Sequence, residues 1–215
     1  MSEELFKKMA QAVIDGDNEL AEELARQAIK AGVDPLDAIN HGYAAGMDTV
    51  GALFASGEYF LPDLILGGEA MKAALVVLEP ALKATGQQRA ILGTVVLGSV
   101  KGDIHEIGKS LVGTMLSAAG FDVYDIGIDV ESTEFVARAR EHGADIVALS
   151  ALLTTTMLQQ RDVIEHLSEA GLRERVKVMV GGSPVTQAWA DQIGADGFAE
   201  DASGAVVEAR RMLGI

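Results

Sequence analysis

The residues best suited to chemistry lie in one glycine-bearing loop, Gly98–Ser110, which reads GSVKGDIHEIGKS. Asp103 stands two residues before His105, so its carboxylate can bind one imidazole nitrogen and leave the other free for a metal. Gly102 and Gly108 would let a bulky, flat ligand approach the backbone. The chain has four histidines and no cysteine, whereas a zinc ion takes three or four protein ligands. A metal already held by a macrocycle needs one axial ligand, so this inventory favours a tetrapyrrole or corrin over a bare ion.

The same loop admits two other interpretations. Gly108-Lys109-Ser110 between a strand and a helix is similar to a Walker A phosphate loop, but that motif needs a glycine at position 103. The residue there is an aspartate, whose carboxylate would repel a polyphosphate. In the simpler interpretation, Asp103 and His105 form a loop capping pair that binds no ligand.

The overall composition excludes several classes of protein. The 215 residues include 17 lysines and arginines against 32 aspartates and glutamates, a net charge of −15, whereas nucleic-acid binding needs a basic surface. Without cysteine the chain has no disulfides, zinc fingers or iron–sulfur clusters. Its uncharged runs, such as residues 90–100, are too short to span a bilayer, and the N-terminus lacks the apolar region of a signal peptide. We therefore expect a cytoplasmic protein that binds neither nucleic acid nor membrane.

The first part of the chain, residues 1–88, has the pattern of consecutive helices. Apolar residues recur at helical spacing in four runs, separated at 15–17, at Gly32 and at Gly57. This pattern predicts a small four-helix bundle. Pro80 is expected to kink or end the fourth helix.

The second part, residues 89–215, alternates buried-strand runs with helices. This alternation predicts a doubly wound parallel sheet of five strands, flavodoxin-like or Rossmann-like, with helices on both faces. Residues 84–89 are the expected linker between the two parts, with Gly86 as a hinge. Ligands of such sheets bind at the carboxyl ends of the strands, which is where His105, Ser150–Thr156 and Gly181-Gly182 are expected.

The sequence resembles base-off/His-on cobalamin-binding domains in three motifs that follow the order of that family: Asp103-x-His105-x-x-Gly108, Ser150-x-Leu152 and Gly181-Gly182. Two upstream motifs resemble the helical cap that precedes the cobalamin domain in methionine synthase: Gly46-Met47-x-x-Val50-Gly51-x-x-Phe54 and Glu58-Tyr59-Phe60-Leu61-Pro62. The segments 181–186 and 194–197 are most similar to the small corrinoid proteins of methyltransferase systems for methanol, methylamines, quaternary amines or methoxylated aromatics. The resemblance covers nearly the whole chain.

The resemblance implies a role for each matching residue. His105 would be the lower axial ligand of cobalt, in place of the dimethylbenzimidazole of cobalamin, and Asp103 would hydrogen-bond to His105. Thr156 stands where the family has a serine, and its hydroxyl would complete the relay. The other expected cofactor contacts are Phe60, Gly102, Ile104, Glu106, Ile107, Gly108, Ser150, Leu152, Thr154, Gly181, Gly182 and Ala202.

These contacts divide by the part of the cofactor that they would meet. Ser150, Leu152 and Thr154 would line the channel for the displaced nucleotide tail. Gly181 and Gly182 would let that tail pass close to the fourth strand, with Ala202 as a further contact. Phe60 would shield the upper face of the corrin.

The resemblance implies a corrinoid protein that carries a methyl group on cobalt. A substrate-specific methyltransferase would load the methyl group, a second methyltransferase would pass it to tetrahydrofolate or coenzyme M, and a reductive activator would restore oxidised cobalt. The chain would then be a carrier subunit and not a complete enzyme.

Two alternatives stay open. One is a cobalamin-binding sensor or regulatory module without methyl transfer, and the other is a mutase subunit, which leaves the helical cap unexplained. The sequence names no methyl donor.

Overall fold

The structure, a computed structural model, describes residues 2–84 and 91–215, without the side chains of Ala55 and Lys83. The chain divides into two compact units, residues 1–90 and 91–215. The domain boundary predicted between 88 and 89 lies outside the described residues. So does the predicted linker with its hinge at Gly86, apart from Ala84.

The helical unit contains the four predicted runs. Its elements are α1 (Ser2–Ile14), α2 (Asn18–Lys30), α3 (Pro35–Asp37), a π-helix (Ala38–Ala44), α4 (Ala45–Ser56) and α5 (Leu61–Ala84). The third run is continuous from α3 to α4, and its π-helical middle is a feature that the spacing of apolar residues did not indicate. Pro80 lies inside α5 and does not end it. Leu78 and Leu82 on either side of the proline are buried, and their burial outweighs the one backbone hydrogen bond that proline removes.

The Gly46-Met47-x-x-Val50 motif has a packing explanation within this unit. A Cβ on Gly46 would lie 2.5 Å from the carbonyl oxygen of Ala10, so glycine lets α4 approach α1. Met47 and Val50 are buried in the core beside it. No helix among the described residues is long and apolar enough to cross a membrane.

The second unit alternates strands and helices throughout. Its elements are β1 (Thr94–Ser99), α6 (Ile107–Ala118), β2 (Asp122–Asp125), α7 (Ser132–His142), β3 (Ile146–Ser150), α8 (Leu158–Glu169), β4 (Lys177–Gly181), α9 (Gln187–Ile193), β5 (Gly197–Ala199) and α10 (Ala202–Leu213). The strands pair in parallel in the order β2-β1-β3-β4-β5. The predicted five-stranded, flavodoxin-like sheet is therefore confirmed.

Each face of the sheet has its own hydrophobic core. Val96 and Val147 belong to the core under α7, α8 and α9, whereas Val95 and Ile146 belong to the core under α6 and α10. Neighbouring residues enter opposite cores because side chains alternate along a strand. Since both faces are covered, the interiors of β1, β3 and β4 are buried and mostly apolar, which is why the sequence indicated them. The edge strand β2 is only partly buried and has an aspartate at each end.

The carboxyl ends of β3 and β4 approach each other closely at Gly182. This glycine has φ +119°, and a Cβ on it would lie 1.8 Å from the carbonyl oxygen of Ala151. The N–H of Ala151 donates to the carbonyl of Gly181 at 3.1 Å. The fold itself therefore requires glycine at position 182, whatever else lies beside it.

We predict that Gly182→Ala lowers the free energy of unfolding by more than about 3 kcal/mol, because the new methyl group meets rigid backbone in a strained conformation. Gly171→Ala is the matched control, since Gly171 also has positive φ (+68°) but nothing within 4 Å of its Cβ position. Its expected loss is about 1–2 kcal/mol. Chemical denaturation of the two apoproteins measures both losses, and equal losses would contradict the steric explanation.

Candidate functional site

The loop between β1 and α6 presents His105 at the carboxyl edge of the sheet. Ser99, the buried last residue of β1, donates its hydroxyl to the carbonyl oxygen of His105 at 2.7 Å. The N–H of Asp103 donates to the carbonyl of Val100 at 3.0 Å. The histidine is thus tied back to the strand that precedes it.

Asp103 is the centre of the hydrogen bonds at this edge. Its side chain is 1% exposed, and Oδ1 accepts the N–H of His105 at 3.1 Å and lies 2.7 Å from Nδ1 of the same residue. Oδ2 accepts the N–H of Leu152 at 2.8 Å and the hydroxyl of Thr156 at 2.6 Å. Burial by itself raises the pKa of Asp103, but these hydrogen bonds more than offset it and lower the pKa to about 2. Asp103 is therefore a buried, ionised carboxylate.

The ionised carboxylate determines the tautomer of His105. Asp103 has no proton to give, so Nδ1 of the imidazole carries the proton and donates it to Oδ1. In the neutral ring the free electron pair then lies on Nε2. The His105 side chain is 45% exposed, which makes that nitrogen available to a ligand.

A cleft of about 1060 Å³ lies beside His105, between the sheet and helices α6 and α10. Leu97, Ala148 and Met179 from three neighbouring strands line it. The cleft is also lined by these predicted cofactor contacts: Ile104, His105, Glu106, Ile107, Gly108, Ser150, Leu152, Gly181, Gly182 and Ala202. The structure therefore brings together residues that are almost a hundred positions apart in the chain.

The remaining predicted residues lie elsewhere. Asp103 and Thr156 are buried behind His105, and Gly102 adjoins them. Thr154 is exposed and is not among the residues that line the cleft, so its place in the nucleotide channel stays a prediction. Phe60 belongs to the helical unit, where it is 67% exposed and its N–H donates to Asp63 Oδ2 at 2.9 Å.

Sequence reasoning missed Gln160, which holds the ends of two strands. This fully buried side chain on α8 donates from Nε2 to the carbonyls of Leu149 at 3.0 Å and Gly181 at 3.1 Å. Its Oε1 accepts the indole N–H of Trp189 at 3.0 Å. A signal was present, because Gln160 lies on the same helical face as the buried residues Val163 and Ile164.

Lys109, the lysine of the Gly108-Lys109-Ser110 segment, has a carboxylate as its partner. It is buried in the first turn of α6 and forms an ion pair with Asp125, the last residue of β2. The lysine thus ties the helix that follows His105 to the neighbouring strand.

The residues of the site fit a metal that is held by a macrocycle. Ile104 and Ile107, on either side of His105, are 69% and 77% exposed, so the mouth of the cleft presents an apolar surface that a flat ligand could cover. Glycine in a helix lowers stability by about 1 kcal/mol relative to alanine, yet a Cβ on Gly108 would meet nothing within 4 Å. Packing within the protein therefore does not explain this glycine, whereas a ligand lying close to the backbone would. Among the described residues, no three His, Cys, Asp or Glu side chains gather to hold a bare metal ion.

Comparison with known proteins gives the same result for both units. A B12 binding domain family matches residues 93–208, and a second B12 binding domain family matches residues 5–79. The chain belongs to the B12-binding corrinoid proteins. Its cofactor is a corrinoid, as the sequence predicted.

Two relatives match along almost their whole length. The trimethylamine corrinoid protein of Methanosarcina barkeri is 47% identical over 213 residues, 99% of this chain and 98% of that protein. A corrinoid protein of Desulfitobacterium hafniense is 47% identical over 211 residues, 98% of both chains. The crystal structure of the methanol:cobalamin methyltransferase complex MtaBC from Methanosarcina barkeri matches with a TM-score of 0.89 and 31% identity, covering 98% of this chain and 80% of that chain.

We predict that Thr156→Val lowers the free energy of unfolding of the apoprotein by about 1–3 kcal/mol at pH 7, because the buried Asp103 carboxylate loses a hydrogen-bond donor. Thr156→Ser keeps the hydroxyl and is expected to lose about 1 kcal/mol or less. Denaturant titrations measure both.

The pH dependence separates this cause from lost packing. The pKa of Asp103 is lowered from 3.8 to about 2, so its ionised form stabilises the fold above pH 3.8 and that contribution is lost as the pH falls towards 2. The loss of unfolding free energy in Thr156→Val, relative to the wild type, should therefore become smaller below about pH 4, which is the ordinary pKa of an aspartate. A loss that stays constant in acid would indicate that Thr156→Val acts through packing.

Proposed function

We propose that this chain carries a methyl group between two methyltransferases, on a corrinoid whose cobalt is bound by Nε2 of His105. The observation that carries the proposal is the 2.7 Å contact between Nδ1 of His105 and the buried carboxylate of Asp103, beside a cleft of about 1060 Å³. When bound, the corrinoid would supply the cobalt that carries the methyl group, and His105 would hold that cobalt.

The residues around His105 orient the imidazole. Asp103 accepts the Nδ1 proton, which leaves the electron pair of the neutral ring on Nε2 and increases its donation to a metal. Thr156 and the N–H of Leu152 stabilise the charge of Asp103. A proton taken up at Nε2 would compete with cobalt for the same electron pair, so this network is suited to coupling proton uptake to ligation.

The cleft accounts for the rest of the cofactor. Ile104, Ile107 and Gly108 would meet the corrin ring, and the nucleotide tail displaced by His105 would enter between the sheet and α10. The tail would pass Ser150 and Leu152, then Gly181, Gly182 and Ala202, all of which line the cleft. Phe60, whose ring is exposed in the helical unit, stays a predicted contact that would protect the cofactor from water.

A methylated amine is the methyl donor that the comparisons favour. The relative named for trimethylamine is 47% identical to this chain, whereas the structure named for methanol is 31% identical. The loading partner would then be an amine-specific methyltransferase. A second methyltransferase that passes the methyl group to tetrahydrofolate or coenzyme M, and a reductive activator, complete the proposed system.

Methyl transfer tests the proposal directly. The chain, loaded with reduced cobalamin, is mixed with purified trimethylamine, dimethylamine, monomethylamine or methanol methyltransferases and the matching substrates. We expect the visible spectrum of methylcobalamin to form with an amine methyltransferase. Formation with the methanol enzyme alone would overturn the assignment to amines. If the chain binds cobalamin but accepts a methyl group from none of them, the carrier role is overturned and a sensor is favoured.

We predict that the cobalt ligand is a protein nitrogen from His105. In protein labelled with ¹⁵N and loaded with unlabelled cob(II)alamin, a protein ligand splits the electron paramagnetic resonance lines into doublets, whereas dimethylbenzimidazole gives triplets. His105→Ala should abolish the doublets. His166→Ala is the control, because His166 lies on α8 and its Nδ1 contacts the Asp162 carbonyl at 2.7 Å. Loss of the doublets in the control variant alone would disprove the assignment.

A further inference from the structure

The loop that carries His105 packs against a second loop, residues 126–131, that the proposed function does not use. The N–H of Ser99 donates to the carbonyl of Gly127, and the N–H of Val130 donates to the carbonyl of Ser99, both at 3.0 Å. Val100 and Val130 form a parallel bridge. These bonds extend the pairing of β1 beyond its end and place the second loop directly behind the first.

Asp129 makes the contacts that reach furthest into the His105 loop. Its Oδ1 accepts the N–H of Gly102 at 2.8 Å, and its own N–H donates to the carbonyl of Asp103 at 2.9 Å. Asp129 therefore holds the N–H of Gly102 and the carbonyl of Asp103, two neighbouring residues of the His105 loop. The side chain of the second of these, Asp103, is the carboxylate that orients His105.

The backbone of Asp129 is in an unusual conformation. Its φ of 53° is the one positive value among the non-glycine residues that the structure describes. The left-handed region costs a side-chain-bearing residue roughly 1–2 kcal/mol, though aspartate and asparagine tolerate it best. Strain of this kind persists where surrounding contacts impose it, and here those contacts are the two bonds to the His105 loop.

Charge holds the Asp129 side chain in place without adding much stability. Lys101 lies 3.3 Å from Asp129 Oδ1 and 2.9 Å from Glu131 Oε1. The Gly102 N–H and then Lys101 lower the pKa of Asp129. Lys101 and Asp129 are about half exposed and Glu131 is 63% exposed, and pairs of this kind contribute little to folding. The arrangement is therefore better explained by orientation than by stability.

We propose that Asp129 is a positioning residue for the metal ligand: by holding Gly102 and Asp103 it aligns the Asp103 carboxylate with His105 and so maintains the bond from His105 to cobalt. The link to the cobalt bond rests on the proposed function. The alignment of Asp103 with His105 concerns the apoprotein alone.

Three variants separate the parts of this role. Asp129→Asn keeps a side-chain oxygen for Gly102 and tolerates the left-handed backbone, but removes the charge. Asp129→Gly removes the acceptor and relieves the backbone strain, so that a loss cannot be ascribed to strain. Glu131→Gln is the matched control, because it weakens the other contact of Lys101 and leaves the Gly102 bond intact.

In the apoprotein, the readout is hydrogen exchange of the Gly102 amide measured by nuclear magnetic resonance. We expect its protection to fall about tenfold in Asp129→Gly, the loss of roughly one hydrogen bond, and to stay near the wild-type value in Asp129→Asn and Glu131→Gln. Unchanged protection in a folded Asp129→Gly protein would overturn the proposal. So would an equal loss in Asp129→Asn, because the oxygen of the amide would then not substitute for the carboxylate.

In the ¹⁵N-labelled protein loaded with cob(II)alamin, the readout is the fraction of cobalt with a protein nitrogen. We expect this fraction to fall in Asp129→Gly and to recover in Asp129→Asn. A wild-type fraction in Asp129→Gly would overturn the link to cobalt. If the wild-type protein itself shows no protein nitrogen, the proposed ligation by His105 fails, and hydrogen exchange of Gly102 still tests the role of Asp129.

Discussion

The site depends on one buried carboxylate. Asp103 receives hydrogen bonds on both oxygens: His105 occupies one, while Leu152 and Thr156 from the loop after β3 occupy the other. A buried aspartate is tolerated only when it is satisfied in this way, because an unpaired charge in the interior is strongly unfavourable. The same bonds that make the charge acceptable also join two loops and orient the imidazole. The hydrogen bonds that hold this edge of the sheet together are therefore the same bonds that orient His105.

The order of the strands makes these bonds possible. β1 and β3 are neighbours in the sheet, with Ser99 paired to Ser150, although about fifty residues separate them in the chain. The two loops must therefore leave the sheet side by side. Gln160 and Gly182 extend the arrangement to β4, since Gln160 bonds to the ends of β3 and β4 and Gly182 permits their close approach. The cleft exists because three strand ends are held at fixed spacing.

A site built in this way suits a carrier of a reactive group. In the proposed function the protein would contribute one metal ligand and a corrin would supply the others, which agrees with the absence of cysteine from the chain. The apolar side chains beside His105 are exposed, and a bound corrin would cover them. The polar residues Asp103 and Thr156 are buried behind His105 and do not line the cleft. In the proposed function they would act on the metal ligand without contacting a substrate.

Local chemistry is what the sequence by itself determined. Strands β1, β3 and β4 were predictable because both faces of the sheet are covered there, which makes their interiors apolar. The more polar edge strand β2 was predictable from the alternation of strands and helices. Asp103 and His105 were recognisable as a pair because they are two residues apart and flanked by glycines. Thr156 and the Gly181-Gly182 pair required the family resemblance, since neither is distinctive alone.

Only the tertiary structure decided the contacts between distant segments. Asp129 and Gln160 meet their partners across 27 residues and across 11 to 29 residues, and no local pattern encodes those distances. Thr154 and Thr156 have similar chemistry and lie two positions apart, yet one is exposed and the other is buried against Asp103. The turn after β3 determines which of the two side chains is buried, because the backbone of the turn fixes where each side chain points. Spacing along the sequence does not fix that direction.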